Sequence, residues 1–328
     1  MYHFCTYFDI NYLPRAMALR DSLERHSPGF TLHCLALDDQ CHAALVETRP
    51  PGVVPIRLAD FEEANPGLRE TRADRSWAEY CFTCAGVLPR YVLRNNPTAE
   101  SVALVDADIY FFSSPDPMYE EFEGHSLGLT EHRFTRINMR ALKYGRFNVG
   151  WIGFRNDAVG NEAADWWAER CIEWCYDRVE DGKFADQKYL EQFPVLFGST
   201  RVIQHKGANV APWNIGHYRL TMNDGQIMVD DAPVIFFHFA SFKQLRPWLF
   251  NTSFGPCFVA PSRVVRRELF GPYIRDLQRN APSLVATRTA RKWQSRHVSV
   301  PMRLKRMART VLGLVFREYI VMYKGRVL

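Results

Sequence analysis

Apolar residues enter the first hundred positions in two alternating rhythms. Tyr2–Phe8 and the stretches 30–37 and 53–58 are short, almost continuous runs of aromatic, aliphatic and β-branched residues, as expected of strands covered on both faces. Between them the apolar positions fall at helical spacing. Ala16, Leu19 and Leu23 share one face of a predicted helix Leu13–His26, which Ser27-Pro28-Gly29 stops. A shorter helix is predicted at 40–48 and a longer one at 77–93, followed by a strand over 101–112. Strands alternating with helices argue an α/β fold with a mostly parallel, right-handed sheet flanked by helices. Farther along, 147–154 reads as a strand whose glycines leave room for something to approach the backbone. A Trp-rich helix is predicted at 158–179, a short one at 187–192, and a buried strand at 234–239.

Composition changes this picture mainly near the C-terminus. The chain has 328 residues, 47% of them hydrophobic, enough for a large core and too apolar for disorder. No uncharged run approaches the roughly 18 residues of a membrane span, and no basic leader follows Met1, so the expected location is cytoplasmic. The eight cysteines lie mostly in apolar segments, and the one C-x-x-C, Cys81 and Cys84, lacks a second pair at zinc-site spacing. Buried thiols are therefore expected. The net charge of +5 is unevenly spread: residues 283–328 hold eleven Lys and Arg against the single acid Glu318, leaving the rest acidic. Two units are expected, an α/β domain over 1–282 and a basic amphipathic helical extension over 283–328. At 100° per residue, Leu304, Met307, Ala308, Val311, Leu314 and Val315 share one side, and Arg303, Lys305, Arg306, Arg309 and Arg317 the other. Such a helix suits an anionic membrane surface, peripherally on the inner face. Packing on the acidic domain is the alternative. Nucleic acid is not an expected partner, because no recognition motif accompanies the basic residues.

Two carboxylates interrupt the apolar run 101–112. Asp106 and Asp108 would lose water at a cost of several kcal/mol each without compensating charge. A hard divalent cation supplies such charge, and residues i and i+2 of an extended segment point the same way. Turn formation before Ser113-Ser114-Pro115 is the other reading. His238 likewise closes an apolar strand, with Lys243 close behind it. Two carboxylates and an imidazole suit Mn²⁺ or Mg²⁺ bridged to a diphosphate.

In this order the motifs resemble those of retaining glycosyltransferases of the GT-A fold, especially family eight, the glycogenin and bacterial lipopolysaccharide galactosyltransferase group. The resemblance spans most of residues 2–250. It implies that Asp9 and Tyr12 form a uracil-binding turn, that Asp106 and Asp108 are the metal- and ribose-binding D-x-D, and that His238 is the third metal ligand. It further implies that Asn148 and Gly150, in Phe147-Asn148-Val149-Gly150, lie beside the donor sugar. Asp186 would position sugar hydroxyls, Gln187 would lie beneath the ring, Pro212-Trp213-Asn214 matches the family's W-N turn, and Lys243 would neutralise diphosphate. Three departures stand out. Ser241 replaces the family's late glycine and Lys243 is separated from Pro247-Trp248; Thr83-Cys84-Ala85 carries no cation where the family has Lys; and bulky Trp151 follows the F-N-x-G.

The implied reaction is metal-dependent, retaining transfer of a hexosyl unit from a nucleotide-diphosphate sugar, UDP-linked by the Asp9–Tyr12 match, to a glycan or lipid-linked acceptor. With no carboxylate identifiable as a nucleophile, front-face attack is favoured. The basic residues Arg133, Arg136, Arg140, Lys143 and Arg146 are expected first as a solvated face, with contact to an anionic acceptor as the sharper alternative. Two competing functions remain: a nucleotidyltransferase acting on sugar phosphates, opposed by the lack of a Gly-rich phosphate loop after the first strand, and an inactive nucleotide-sugar-binding protein. Local alternatives also stand: Tyr12 as a packing aromatic, Asn148 as a strand-end hydrogen-bonding residue, and Asp186 as a helix N-cap.

Overall fold

The computed structural model describes residues 1–27, 29–281, 313–315 and 317–328. Its centre is a seven-stranded sheet in the order β3-β2-β1-β4-β7-β6-β8. The strands are β1 (Tyr2–Phe8), β2 (Phe30–Ala36), β3 (Val53–Arg57), β4 (Ser101–Val105), β6 (Leu127–Glu131), β7 (Phe147–Arg155) and β8 (Thr200–Val202), with β5 (Ile109–Phe111) lying outside this sheet. β7 runs antiparallel to β4 and β6, and every other neighbouring pair is parallel.

Helices cover both faces, which is why the central strands are apolar throughout. α1 (Leu13–His26), α2 (Asp39–Thr48) and α5 (Asp116–Phe122) pack on the side of Phe4, Leu32 and Val105. α3 (Leu58–Glu63), α4 (Trp77–Asn95) and α6 (Ala158–Glu173) cover Cys5, Leu35 and Leu104 on the other. Local chemistry sets the starts: Asp38 accepts from the Cys41 amide at 2.7 Å, Ser76 and Glu79 form a capping box, and Asp157 accepts from the Gly160 amide at 2.7 Å. α4 and α6 approach closely at Gly86, where a Cβ would lie 2.4 Å from Cys171 Sγ.

Three small sheets flank this body. β9 (Leu220–Asn223), β10 (Gln226–Val229) and β11 (Ala232–Pro233) form a meander, and β12 (Phe236–His238) pairs antiparallel with β5. β13 (Lys243–Arg246), β14 (Leu249–Asn251), β15 (Tyr319–Tyr323) and β16 (Arg326–Val327) form the third, so the end of the chain joins strands from the site side. Its joint is Glu318, 1% exposed, whose carboxylate accepts from the Gly255 amide at 2.6 Å and Asn251 Nδ2 at 2.8 Å. Phe239, Phe242, Phe250, Tyr273, Ile320 and Met322 share one apolar cluster beneath it.

The α/β class, the mostly parallel sheet and the β1 and α1 limits agree with expectation. Four elements differ. The stretch 101–112 breaks into β4 and β5, which belong to different sheets. α6 ends at Glu173 because Trp174 turns extended and its carbonyl accepts from the Tyr189 hydroxyl at 2.8 Å. The late strand contracts to β12. The helix expected within 283–328 lies almost wholly outside the described residues, and 319–327 is a hairpin rather than a helix because Leu249–Asn251 offers it a sheet edge. No helix among the described residues is long and apolar enough to cross a membrane.

Candidate metal centre and donor site

Asp106 and Asp108 stand in the tight turn between β4 and β5, closed by a hydrogen bond from the Ile109 amide to the Asp106 carbonyl at 3.1 Å. The two carboxylates converge through this turn, not through extended-strand alternation. The Asp106 amide is held by the Gly150 carbonyl at 3.3 Å, and the Asp108 carbonyl accepts from the Phe239 amide at 2.9 Å. Pairing of β5 with β12 sets His238 opposite Ile109. His238 Nε2 then lies 3.1 Å from Asp108 Oδ1 and 3.5 Å from Asp106 Oδ2. One ligand atom from each of the three falls within 4.8 Å of the others. The His238 side chain is 6% exposed, whereas Asp106 and Asp108 keep 23% and 13%, so the carboxylates are open to a ligand. Two carboxylate oxygens and an imidazole nitrogen on one open side fit a divalent cation with vacant positions for phosphate or water.

Asn148 enters at the amino end of β7, where the pairing with β6 shifts register between Leu129 and Thr130. Its Oδ1 lies 3.1 Å from His238 Nδ1 and accepts from the Gly150 amide at 3.1 Å, while Nδ2 lies 3.3 Å from His132 Nε2. Gly150 has no room for a side chain: a Cβ would stand 2.4 Å from Asn148 Oδ1 and 2.8 Å from His238 Nδ1. Trp213 packs edge-on against both His132 and His238, at 5.3 and 5.2 Å. Asn214 pins that turn by donating to the carbonyls of His132 at 2.9 Å and Asn209 at 2.8 Å.

Asp186 is 4% exposed, follows Ala185 in the left-handed region at φ 45°, and its Oδ2 has no partner among the described residues. It makes no side-chain cap to the following helix, so the N-cap reading fails. Gln187 donates to the Tyr144 carbonyl at 3.0 Å, beside Gly145 at φ 140°, where a Cβ would come within 3.2 Å of the Gln187 amide. Asp9 uses its carboxylate on the Asn11 and Tyr12 amides at 3.0 and 3.1 Å, shaping the turn into α1. Tyr12 stays 43% exposed. Lys243 is exposed at the start of β13.

Three neighbours escaped the sequence reading. Arg15 stacks over Tyr12 at 4.3 Å, donates to the Phe242 carbonyl at 2.7 Å, and approaches Asp108 to 3.7 Å. Arg90, the first basic residue of α4, points elsewhere and bonds Asn65. On a helix surface an arginine carries no positional signal. His132 lies outside any periodic segment, and Tyr7, hydrogen-bonded to Asp106, looked like strand core.

The charges explain one another. Burial raises the Asp106 carboxyl to about 6 despite attraction to His238, with repulsion from Asp108 adding to the rise. Burial opposes ionisation of Asp108 as well, but the His238 imidazolium, its hydrogen bond and Arg15 outweigh it and hold this carboxyl below its usual range. His238 is raised, since attraction to Asp108 and Asp106 exceeds the cost of burial. Burial, then the charge of Asp106, lifts Asp186 to about 8. Burial pushes His132 down to about 3 and keeps it neutral.

No family model matches the chain. It is 30% identical to the uncharacterized protein YfnD of Bacillus subtilis over 281 residues, 85% of this chain and 89% of that protein. It is 31% identical to the uncharacterized protein YfnF of the same organism over 248 residues, 73% and 81% of the two chains. Similar solved structures include the galactosyltransferase LgtC in complex with donor and acceptor sugar analogues, with TM-score 0.48 and 15% identity, covering 88% of this chain and 98% of that one. Mouse xyloside xylosyltransferase 1 in its apo form matches with TM-score 0.47 and 13% identity, over 73% of this chain and 98% of that one.

Proposed function

The chain belongs to one family with Bacillus subtilis YfnD and YfnF, and from its carboxylate–imidazole cluster we propose that it is a metal-dependent, retaining GT-A glycosyltransferase. Its donor is a UDP-sugar and its acceptor a glycan or lipid-linked saccharide. The observation that carries this reading is the convergence of Asp106 and Asp108, from the β4–β5 turn, with His238 of β12, beside a buried Asp186 that caps no helix. A single packing or turn requirement does not account for all four. They match, in order, the motifs of the family-eight resemblance.

Bound at this cluster, Mn²⁺ or Mg²⁺ would neutralise the diphosphate leaving group. Tyr12 stacks on the uracil and Asp9, beyond its turn, borders the base edge. Arg15 and Lys243 add positive charge near the diphosphate. Asp186 and the remaining Asn148 amide hydrogen hold sugar hydroxyls, and Gly150 keeps the floor of the sugar pocket free of a side chain. Gln187 turns its amide oxygen toward the anomeric carbon as positive charge builds there. The acceptor hydroxyl attacks the anomeric carbon on the face from which the diphosphate leaves and passes its proton to the departing diphosphate oxygen, so configuration is retained.

Incubation with UDP-sugars, Mn²⁺ and no acceptor tests this. Slow release of UDP and free sugar is expected. Pyrophosphate release would instead support a nucleotidyltransferase, and tight donor binding with no turnover an inactive binding protein. An NMR spectrum of the first-formed product with inverted configuration would refute retention and the role of Gln187.

The basic C-terminal segment docks the enzyme on an anionic membrane, near a lipid-linked acceptor. Arg263, Arg266, Arg267 and Arg317 line one cavity, and residues 282–312 contain no acid. Because 319–327 is part of a sheet, truncation would confound docking with folding. Replacing Arg303, Lys305, Arg306 and Arg309 by Gln should abolish flotation with anionic liposomes, and undiminished flotation would refute docking.

A further inference from the structure

We propose that Asn148 and His132 are positioning residues for His238, forming a hydrogen-bond relay that directs its Nε2 toward the Asp106–Asp108 pair. The inference rests on the metal reading above and goes beyond it, because the role falls to residues that touch neither carboxylate.

The polarity of the relay is set at both ends by backbone groups whose character is invariable. At one end the Gly150 amide can only donate, so the Asn148 atom 3.1 Å away is Oδ1 and the amide has one orientation. That oxygen also lies 3.1 Å from His238 Nδ1, which must therefore carry a proton. Nδ2 of Asn148, necessarily a donor, lies 3.3 Å from His132 Nε2, which must accept. The remaining His132 nitrogen, Nδ1, is then the protonated one, and it lies 3.3 Å from the Arg146 carbonyl, which can only accept. Every link is consistent from Gly150 to Arg146. The outcome is a His238 whose Nδ1 always donates, leaving Nε2, 3.1 Å from Asp108 and 3.5 Å from Asp106, to lose its proton when a cation arrives. Packing of Trp213 against both imidazoles restricts ring rotation. The absence of a Cβ at Gly150 leaves the space in which Asn148 and His238 meet.

Two measurements test it. On metal-free protein labelled with ¹⁵N-histidine, long-range ¹H–¹⁵N correlations should find neutral His132 protonated at Nδ1; protonation at Nε2 would overturn the relay. Mn²⁺ binding, followed by loss of the free-ion electron paramagnetic resonance signal, should weaken about 10- to 100-fold in Asn148→Leu. Asn148→Asp keeps an acceptor for both His238 Nδ1 and the Gly150 amide but lacks the donor to His132, and should lose clearly less affinity than Asn148→Leu. Wild-type affinity in Asn148→Leu, or equal loss in both variants, would overturn the proposal. Wild-type protein that binds no Mn²⁺ would instead overturn the metal reading, and the His132 tautomer still decides the relay's polarity.

Discussion

Asp186 makes stability depend on pH in a direction opposite to that of a salt-bridged carboxylate. Its folded value is about 8 against an ordinary 3.8, so between these limits the folded protein holds a proton that the unfolded chain releases. The resulting stabilisation is fully present below about pH 4, declines as pH rises, and reaches its floor above about pH 8. At about 1.4 kcal/mol per unit, the interval from about pH 5.5 to 8 corresponds to roughly 3 kcal/mol. Asp186→Asn deletes this titration while keeping shape. Urea unfolding in EDTA across that interval should show the wild type losing about 3 kcal/mol relative to the variant, with the variant the more stable form at the alkaline end. Subtracting the two curves cancels titrations that both proteins share. Saturating Mn²⁺ should make the wild-type curve shallower without abolishing its slope, since a cation at Asp106 removes the repulsion that is the second cause of the shift while burial, the first, remains. Parallel curves for the two proteins in EDTA would refute the reasoning.

Arg15→Leu takes the cation from beside Asp108 and the donor from the Phe242 carbonyl, and should weaken UDP binding in Mn²⁺ about tenfold, or about 1.4 kcal/mol, by calorimetry; unchanged affinity counts against a donor-site role. Glu318→Ala strands the Gly255 amide and the Asn251 side chain in a buried joint and should cost about 2–4 kcal/mol in urea unfolding. Gly86→Ala drives a methyl into Cys171 and should cost about 1–3 kcal/mol, whereas Gly198→Ala, with no atom within 4 Å of the added carbon, should cost far less.

Elements whose side chains keep strict rhythm were legible. The Leu13–His26 helix and the Tyr2–Phe8 strand carry their own periodicity and stop signals, and they form within the expected limits. Asp106, Asp108 and His238 were legible for the opposite reason, as charged interruptions of apolar runs. What the sequence hid depends on distant partners. A strand buried on both faces reads alike in either direction, so the reversal of β7 left no mark. The split of 101–112 depends on the Gly150 carbonyl and on β12, neither of them local. His132 has meaning only through Asn148, and Tyr319–Tyr323 becomes a strand only because Leu249–Asn251 has an edge to offer.

The last strands have a bearing on how the polypeptide would respond to cleavage. Residue 281 follows a helix packed in the body, and residues 313–315, 317 and 318 belong to that body again, with Glu318 fastened to Asn251 and Gly255 and β15 paired along β14. Residues 282–312 are therefore bracketed by structure on both sides. One proteolytic nick anywhere within them would leave two polypeptides held together by a shared sheet and an apolar cluster, co-eluting in native chromatography and parting only in denaturant.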